Sequence, residues 1–99
     1  MMVLVSYDVC TLDKAGRRRL RRVAKACLNR GQRVQFSVFE CDLNPGEKAQ
    51  LESELAEVIN HTEDQVIFVV LGPAEGRGDR VITALGVPYL KMEAPCYAF

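Results

Sequence analysis

Residues Met2 to Asp8 alternate two sets of side chains, Val3, Val5 and Tyr7 on one parity and Leu4, Ser6 and Asp8 on the other, and this period of two predicts a β-strand. Both sets are largely apolar until Ser6, so a central strand covered on both faces is implied, its second face turning polar toward Asp8. The period then changes. Leu20, Val23, Ala24, Cys27 and Leu28 recur at helical spacing as one core stripe, with Asp13 placed to cap the helix and Gly31 to end it. Arg33 to Leu43 reads as strand again, but Val34, Phe36 and Val38 share one phase and Phe39, Cys41 and Leu43 the other, which predicts a bulge or break near Ser37–Phe39. Asn44-Pro45-Gly46-Glu47 is a helix start, with Asn44 as cap, proline in the first turn and Glu47 as capping-box partner. That helix buries Leu51, Leu55, Val58 and Ile59. The unbroken apolar run from Gln65 to Leu71, stopped by Gly72-Pro73, predicts a fully buried strand. Residues 74–99 then hold a glycine- and charge-rich loop, a short apolar piece at Val81–Leu85, a last strand around Val87–Lys91 and a tail.

Strands separated by two amphipathic helices predict an α+β sandwich with both helices on one sheet face, and 99 residues make one domain of it. The other face, with Leu4, Ser6 and residues like Phe39, would then be open. Two-fold self-association is the economical cover for such a patch.

Charge divides the chain. Residues 1–33 carry nine Lys/Arg against Asp8 and Asp13, a net +7, whereas residues 40–64 carry eight acids against Lys48, a net −7. The zero total therefore conceals a dipolar surface whose basic side suits a polyanion. The acidic side reads equally as a solvated helix face. No apolar run approaches the ~18 residues that cross a bilayer, and Met1–Val5 lacks the marks of a secretory signal, so a cytoplasmic location is expected. Cys10, Cys27, Cys41 and Cys96 form no C-x-x-C pair and read as reduced, small apolar residues. His61 falls near a helix end, where capping or surface exposure is the default, and Arg77-Gly78-Asp79 reads as a turn.

Two features carry candidate chemistry. Five of the six residues from Arg17 to Arg22 are arginine, early in a helix whose N-terminus is already electropositive, and no acid follows Asp13 until Glu40. Guanidinium groups fork onto phosphate oxygens, so Arg17, Arg18, Arg19 and Arg22 are candidates to hold a nucleic-acid backbone; a solvated helix face is the plainer reading. Asp8 stands at a strand's carboxyl end, where a carboxylate can hold a divalent metal that stabilises phosphoryl charge and activates water. It can equally start a turn or cap the Thr11–Asp13 segment.

These residues resemble a known family. Val3–Asp8 ending in Tyr7-Asp8-Val9, the arginine-rich helix leading into Arg22-Val23-Ala24-Lys25, and above all Arg33-Val34-Gln35-Phe36-Ser37-Val38-Phe39-Glu40 are similar to the second of the two core CRISPR adaptation proteins, from Met2 to about Leu71. The resemblance implies a ferredoxin-like fold (βαββαβ plus a short C-terminal strand) and a homodimer in which residues 74–99 are exchanged with, or packed on, the partner. It also implies assembly with the CRISPR integrase to insert new spacers, and a metal-dependent endonuclease acting on RNA or DNA. Asp8 then becomes the metal ligand, for Mg2+, and Tyr7, Arg33 and Phe39 match positions implicated in activity. Phe39 as dimer core and Arg33 as a cap on the sheet edge are the structural alternatives. A DNA-binding adaptor without catalysis, scaffolding the integrase, is the competing function, and a toxin-type ribonuclease of similar fold a third.

Overall fold

The computed structural model describes residues 1–72 and 81–87. Its elements are β1 (Met2–Asp8), α1 (Lys14–Leu28), β2 (Gly31–Gln35), β3 (Val38–Asp42), α2 (Pro45–Val58), β4 (Gln65–Gly72) and β5 (Val81–Gly86). All five strands join one sheet in the order β2-β3-β1-β4-β5, every neighbouring pair antiparallel. The first four strands and two helices give the βαββαβ order of a ferredoxin-like α+β sandwich, with β5 added beside β4.

The alternation along β1 decides what lies where. Val3, Val5 and Tyr7 are buried with Val23 and Cys27 of α1, Leu51 and Leu55 of α2, Phe39 and Cys41 of β3, and Val66 and Phe68 of β4. Both helices therefore cover this one face. Leu4, Ser6 and Asp8 point the other way and are only half-buried. On that face Leu4 lies between Glu40 and Val69, Ser6 between Val38 and Ile67, and Asp8 opposite Gln65.

Several expectations change. The phase shift in 33–43 is a hairpin turning through Phe36 and Ser37, with a register shift between Arg33 and Gln35, so each arm keeps its own parity. Phe39 is fully buried beneath the helices rather than on the open face, because its register partner on β1 is Val5. Leu28 is 52% exposed, and Ala26, on the other flank of the stripe, is buried instead. β4 is not buried on both sides: Val66 and Phe68 are, whereas Ile67 and Val69 are half-exposed and Leu71 is exposed, since one chain supplies no second layer. The piece at 81–86 is itself the fifth strand, paired with β4 of the same chain. The expected strand around Val87–Lys91, the Arg77-Gly78-Asp79 turn, Cys96 and the exchange of the tail fall wholly or mostly outside the described residues.

Local chemistry accounts for the helix ends. Asp13 accepts the Gly16 N–H at 2.7 Å and starts α1. At α2 the capping box is complete, with Glu47 N–H to Asn44 Oδ1 at 2.7 Å and Asn44 N–H to Glu47 Oε1 at 2.9 Å. His61 Nε2 lies 2.7 Å from the Ala56 carbonyl at the end of α2, a helix-terminal place. No helix among the described residues is long and apolar enough to cross a membrane.

Candidate active site and nucleic-acid interface

Asp8 ends β1 on the face without helices, half-buried, its carboxylate with no ion pair or hydrogen bond among the described residues. Burial raises its carboxyl pKa above the ordinary value. A carboxylate that has lost water without gaining a partner is the group a cation would stabilise most.

Tyr7, Arg33 and Phe39 form a separate cluster. Phe39 stacks on Tyr7 with ring centroids 6.0 Å apart and planes 22° apart, and the Arg33 guanidinium sits 5.1 Å over the Phe39 ring. Tyr7 N–H donates to Ser37 O at 3.0 Å and Tyr7 Oη reaches Phe36 O at 3.5 Å, fastening the β2–β3 hairpin to the end of β1. Burial pushes the Tyr7 phenol up, with Arg33 pulling the other way. The period of two that puts Tyr7 in the core turns Asp8 out of it. Tyr7 and Phe39, 2% and 0% exposed, therefore act on Asp8 through the backbone and cannot touch a substrate from where they lie. Arg33 is exposed at the edge of the same cluster.

The arginines separate in the same way. Arg17, Arg18, Arg21 and Arg22 are exposed on α1. Arg19 is not with them: its Nε donates to Asp64 Oδ2 at 2.8 Å and its Nη2 to Glu63 at 3.3 Å, and its side chain is 15% exposed. Its pKa is raised, chiefly by the hydrogen bond to Asp64. Asp64 was missed in the sequence because it reads as one more acid after α2. It is 0% exposed. The exposed row lies on a helix that covers the Tyr7 face of the sheet, whereas Asp8 looks out from the opposite face; Arg17, at the start of the row, reaches back to the Thr11 carbonyl at 3.5 Å.

The described residues contain no cluster of three or more potential metal ligands. Asp8 alone is not a cage. It does suit Mg2+, which keeps several waters and is usually held by one or two carboxylates together with substrate phosphate. Cys10, Cys27 and Cys41 are buried free thiols, and burial pushes Cys27 up to about 12, far from a reactive or ligating thiolate at neutral pH.

These features define a small ferredoxin-like α+β sandwich with a strand-end carboxylate on its bare face and a guanidinium row on its helical face. The family described as CRISPR associated protein Cas2 matches residues 1–76, and the chain belongs to it. A CRISPR-associated endoribonuclease Cas2 of Chlorobaculum tepidum is 54% identical over 72 residues, 73% of this chain and 75% of the relative. A CRISPR-associated endonuclease Cas2 of Halalkalibacterium halodurans is 47% identical over 72 residues, again 73% and 75%. Among solved structures, Streptococcus pyogenes Cas2 at pH 6.5 superposes with a TM-score of 0.68 at 51% identity, covering 73% of this chain and 87% of that one. A hypothetical protein of Thermus thermophilus superposes at 0.62 with 27% identity, covering 81% and 93%.

Proposed function

We propose that this chain is a CRISPR-associated endonuclease of the spacer-acquisition machinery, cleaving a phosphodiester backbone of RNA or DNA with Mg2+ held at Asp8. The observation that carries the reading is Asp8 itself, half-buried, its pKa raised by burial, and unpaired among the described residues at the end of a strand. Relatives named as endoribonuclease and endonuclease, 54% and 47% identical, support the nuclease class. The bare face around Asp8 carries Leu4, Ile67 and Val69, which supports a homodimer that covers this patch and brings a second Asp8 toward the first. A bound Mg2+ would supply charge stabilisation at the phosphoryl oxygens and a more acidic water. Asp8 gives the anionic ligand, and a pair of Asp8 residues from two protomers gives the two carboxylates such an ion accepts. Leu4, Ile67 and Val69 exclude water from the closed interface, and Tyr7 fixes the strand end through Ser37. Cleavage of single-stranded RNA and of duplex DNA, each with magnesium and with chelator, tests the reading. Wild type is expected to cut one of them only with metal, and Asp8→Asn neither; equal cleavage by Asp8→Asn would place the activity elsewhere.

A second reading is favoured by the opposite faces of the sheet that the arginine-bearing helix and Asp8 take. The exposed Arg17, Arg18, Arg21 and Arg22 bind a nucleic-acid backbone as a scaffold for the integrase, without serving the cleavage site. Binding that persists with chelator and in Asp8→Asn supports it, and binding lost under both conditions contradicts it.

A further inference from the structure

We infer that Arg19 and Asp64 are a positioning pair, holding the segment that leaves β1 and thereby setting where Asp8 stands; this rests on Asp8 being the reactive end of the proposed nuclease. The Asp64 carboxylate is wholly buried and takes four donors. Oδ1 accepts Cys10 N–H at 2.9 Å and Arg19 Nη2 at 3.4 Å, and Oδ2 accepts Arg19 Nε and Asn60 N–H, both at 2.8 Å. Arg19 Nη2 also reaches Cys10 O at 3.5 Å. The pair thus engages both backbone groups of Cys10, two residues beyond Asp8.

The Asp64 backbone extends the clamp. Its N–H donates to Asn60 O and its carbonyl accepts Val87 N–H, each at 2.8 Å, and the next residue, Gln65, is Asp8's register partner on β4. Packing here admits no side-chain carbon: a Cβ on Gly16 would strike the Cys10 carbonyl, and one on Gly86, whose φ is +86°, would strike the Asp64 carbonyl. Four segments meet at Asp64, the residue before Asp8's register partner: the β1–α1 loop, α1 and the α2–β4 loop on its carboxylate, and the end of β5 on its backbone carbonyl. Removing Arg19 leaves that buried anion uncompensated, so the strain falls on the loop it holds. An arginine 15% exposed and forked onto Asp64 is not offered to a phosphate, unlike its exposed neighbours.

The test compares full-length wild type, Arg19→Gln, Arg19→Lys and Asp64→Asn in two readouts. In amide hydrogen exchange, Arg19→Gln is expected to accelerate Cys10 about tenfold or more while Val5 and Phe68 keep their protection. In magnesium-saturated cleavage, kcat is expected to fall about tenfold to a hundredfold with KM for nucleic acid within about twofold, and added guanidinium ion to restore part of it. Arg19→Lys, which keeps the charge but loses the fork onto Asp64 and the reach to the Cys10 carbonyl, is expected to fall between, and it stands in for Arg19→Gln if that variant does not fold. Unchanged Cys10 exchange overturns the inference, as does a raised KM at constant kcat, which would make Arg19 a direct backbone contact. If wild type cuts nothing with magnesium, the nuclease reading fails, and the exchange at Cys10 alone decides whether the pair positions this segment.

Discussion

Replacing Phe39 with leucine distinguishes a core residue from a catalytic one. The ring is 0% exposed, stacked on Tyr7 at 6.0 Å and capped by Arg33 at 5.1 Å. Leucine has three fewer carbons, worth ~0.8 kcal/mol each when buried, so about 2 kcal/mol is lost from burial. Loss of the aromatic and cation–π contacts adds up to about 1 kcal/mol. A total near 3 kcal/mol is a large part of the ~5–15 kcal/mol that stabilises a domain of this kind. Phe39→Ala, at the upper end of the ~3–5 kcal/mol range for emptying an aromatic site, is expected to sit near the edge of folding. Urea unfolding at 25 °C and fixed chain concentration is the assay. With a slope near 1 kcal/mol per molar, typical of small domains, the midpoint for leucine is expected to drop by about 2–3 M. Cleavage measured where the leucine variant remains folded is expected to stay within about fivefold of wild type, because the ring touches no solvent and no substrate. A folded leucine variant with a midpoint within about 0.5 M of wild type and a kcat reduced more than about a hundredfold would refute the reasoning.

Other outcomes follow from the same structure. Burial raises the Asp8 pKa, so its contribution to stability is present below the ordinary carboxyl pKa and lost as pH rises through the raised one. Without metal, Asp8→Asn is therefore expected to melt above wild type at pH 7, with the difference closing as the pH is lowered below about 4; a variant melting below wild type at pH 7 contradicts this. Neutralising Arg18 and Arg22 together is expected to weaken nucleic-acid binding and reduce the slope of log affinity against log salt by about two; a slope unchanged in filter binding removes that face from the interface. With its pKa near 12, Cys27 is about one part in ten thousand thiolate at pH 8 and is expected to resist alkylation until the chain is unfolded, as peptide mass mapping would reveal. Asn44→Ala is expected to lower stability by about 1 kcal/mol in the same urea assay by opening the capping box, and a change below about 0.3 kcal/mol would show the cap to be idle.

What was legible in the sequence is what short-range periodicity records. The opposite parity of Tyr7 and Asp8 already puts them on opposite faces, and Asn44 and Glu47 announce their helix because both halves of the capping box lie within four residues. The family motif names Tyr7, Asp8, Arg33 and Phe39 together, but proximity in a motif says nothing of which face each side chain takes. Parity along 33–43 alone leaves Phe39 free to lie on the bare face; only the register that pairs it with Val5 turns it into the core. Arg19 looked like its four arginine neighbours because the partner that distinguishes it, Asp64, is 45 residues away. An unmatched arginine row in α1 and an acid at the threshold of a buried strand were the available signals, and only the tertiary packing joins them. The apolar run at 65–71 predicted cover on both faces, and a single chain provides it on one. That difference is the structural argument for a partner protomer.

The claim on which the account most depends is that Asp8 residues of two protomers share one divalent ion. Titrating Mn2+ into the protein with a non-cleavable nucleic acid, followed by electron paramagnetic resonance, measures this directly. The account predicts one ion bound per two chains in wild type and none in Asp8→Asn; one ion per chain, or binding undiminished by the substitution, would contradict it.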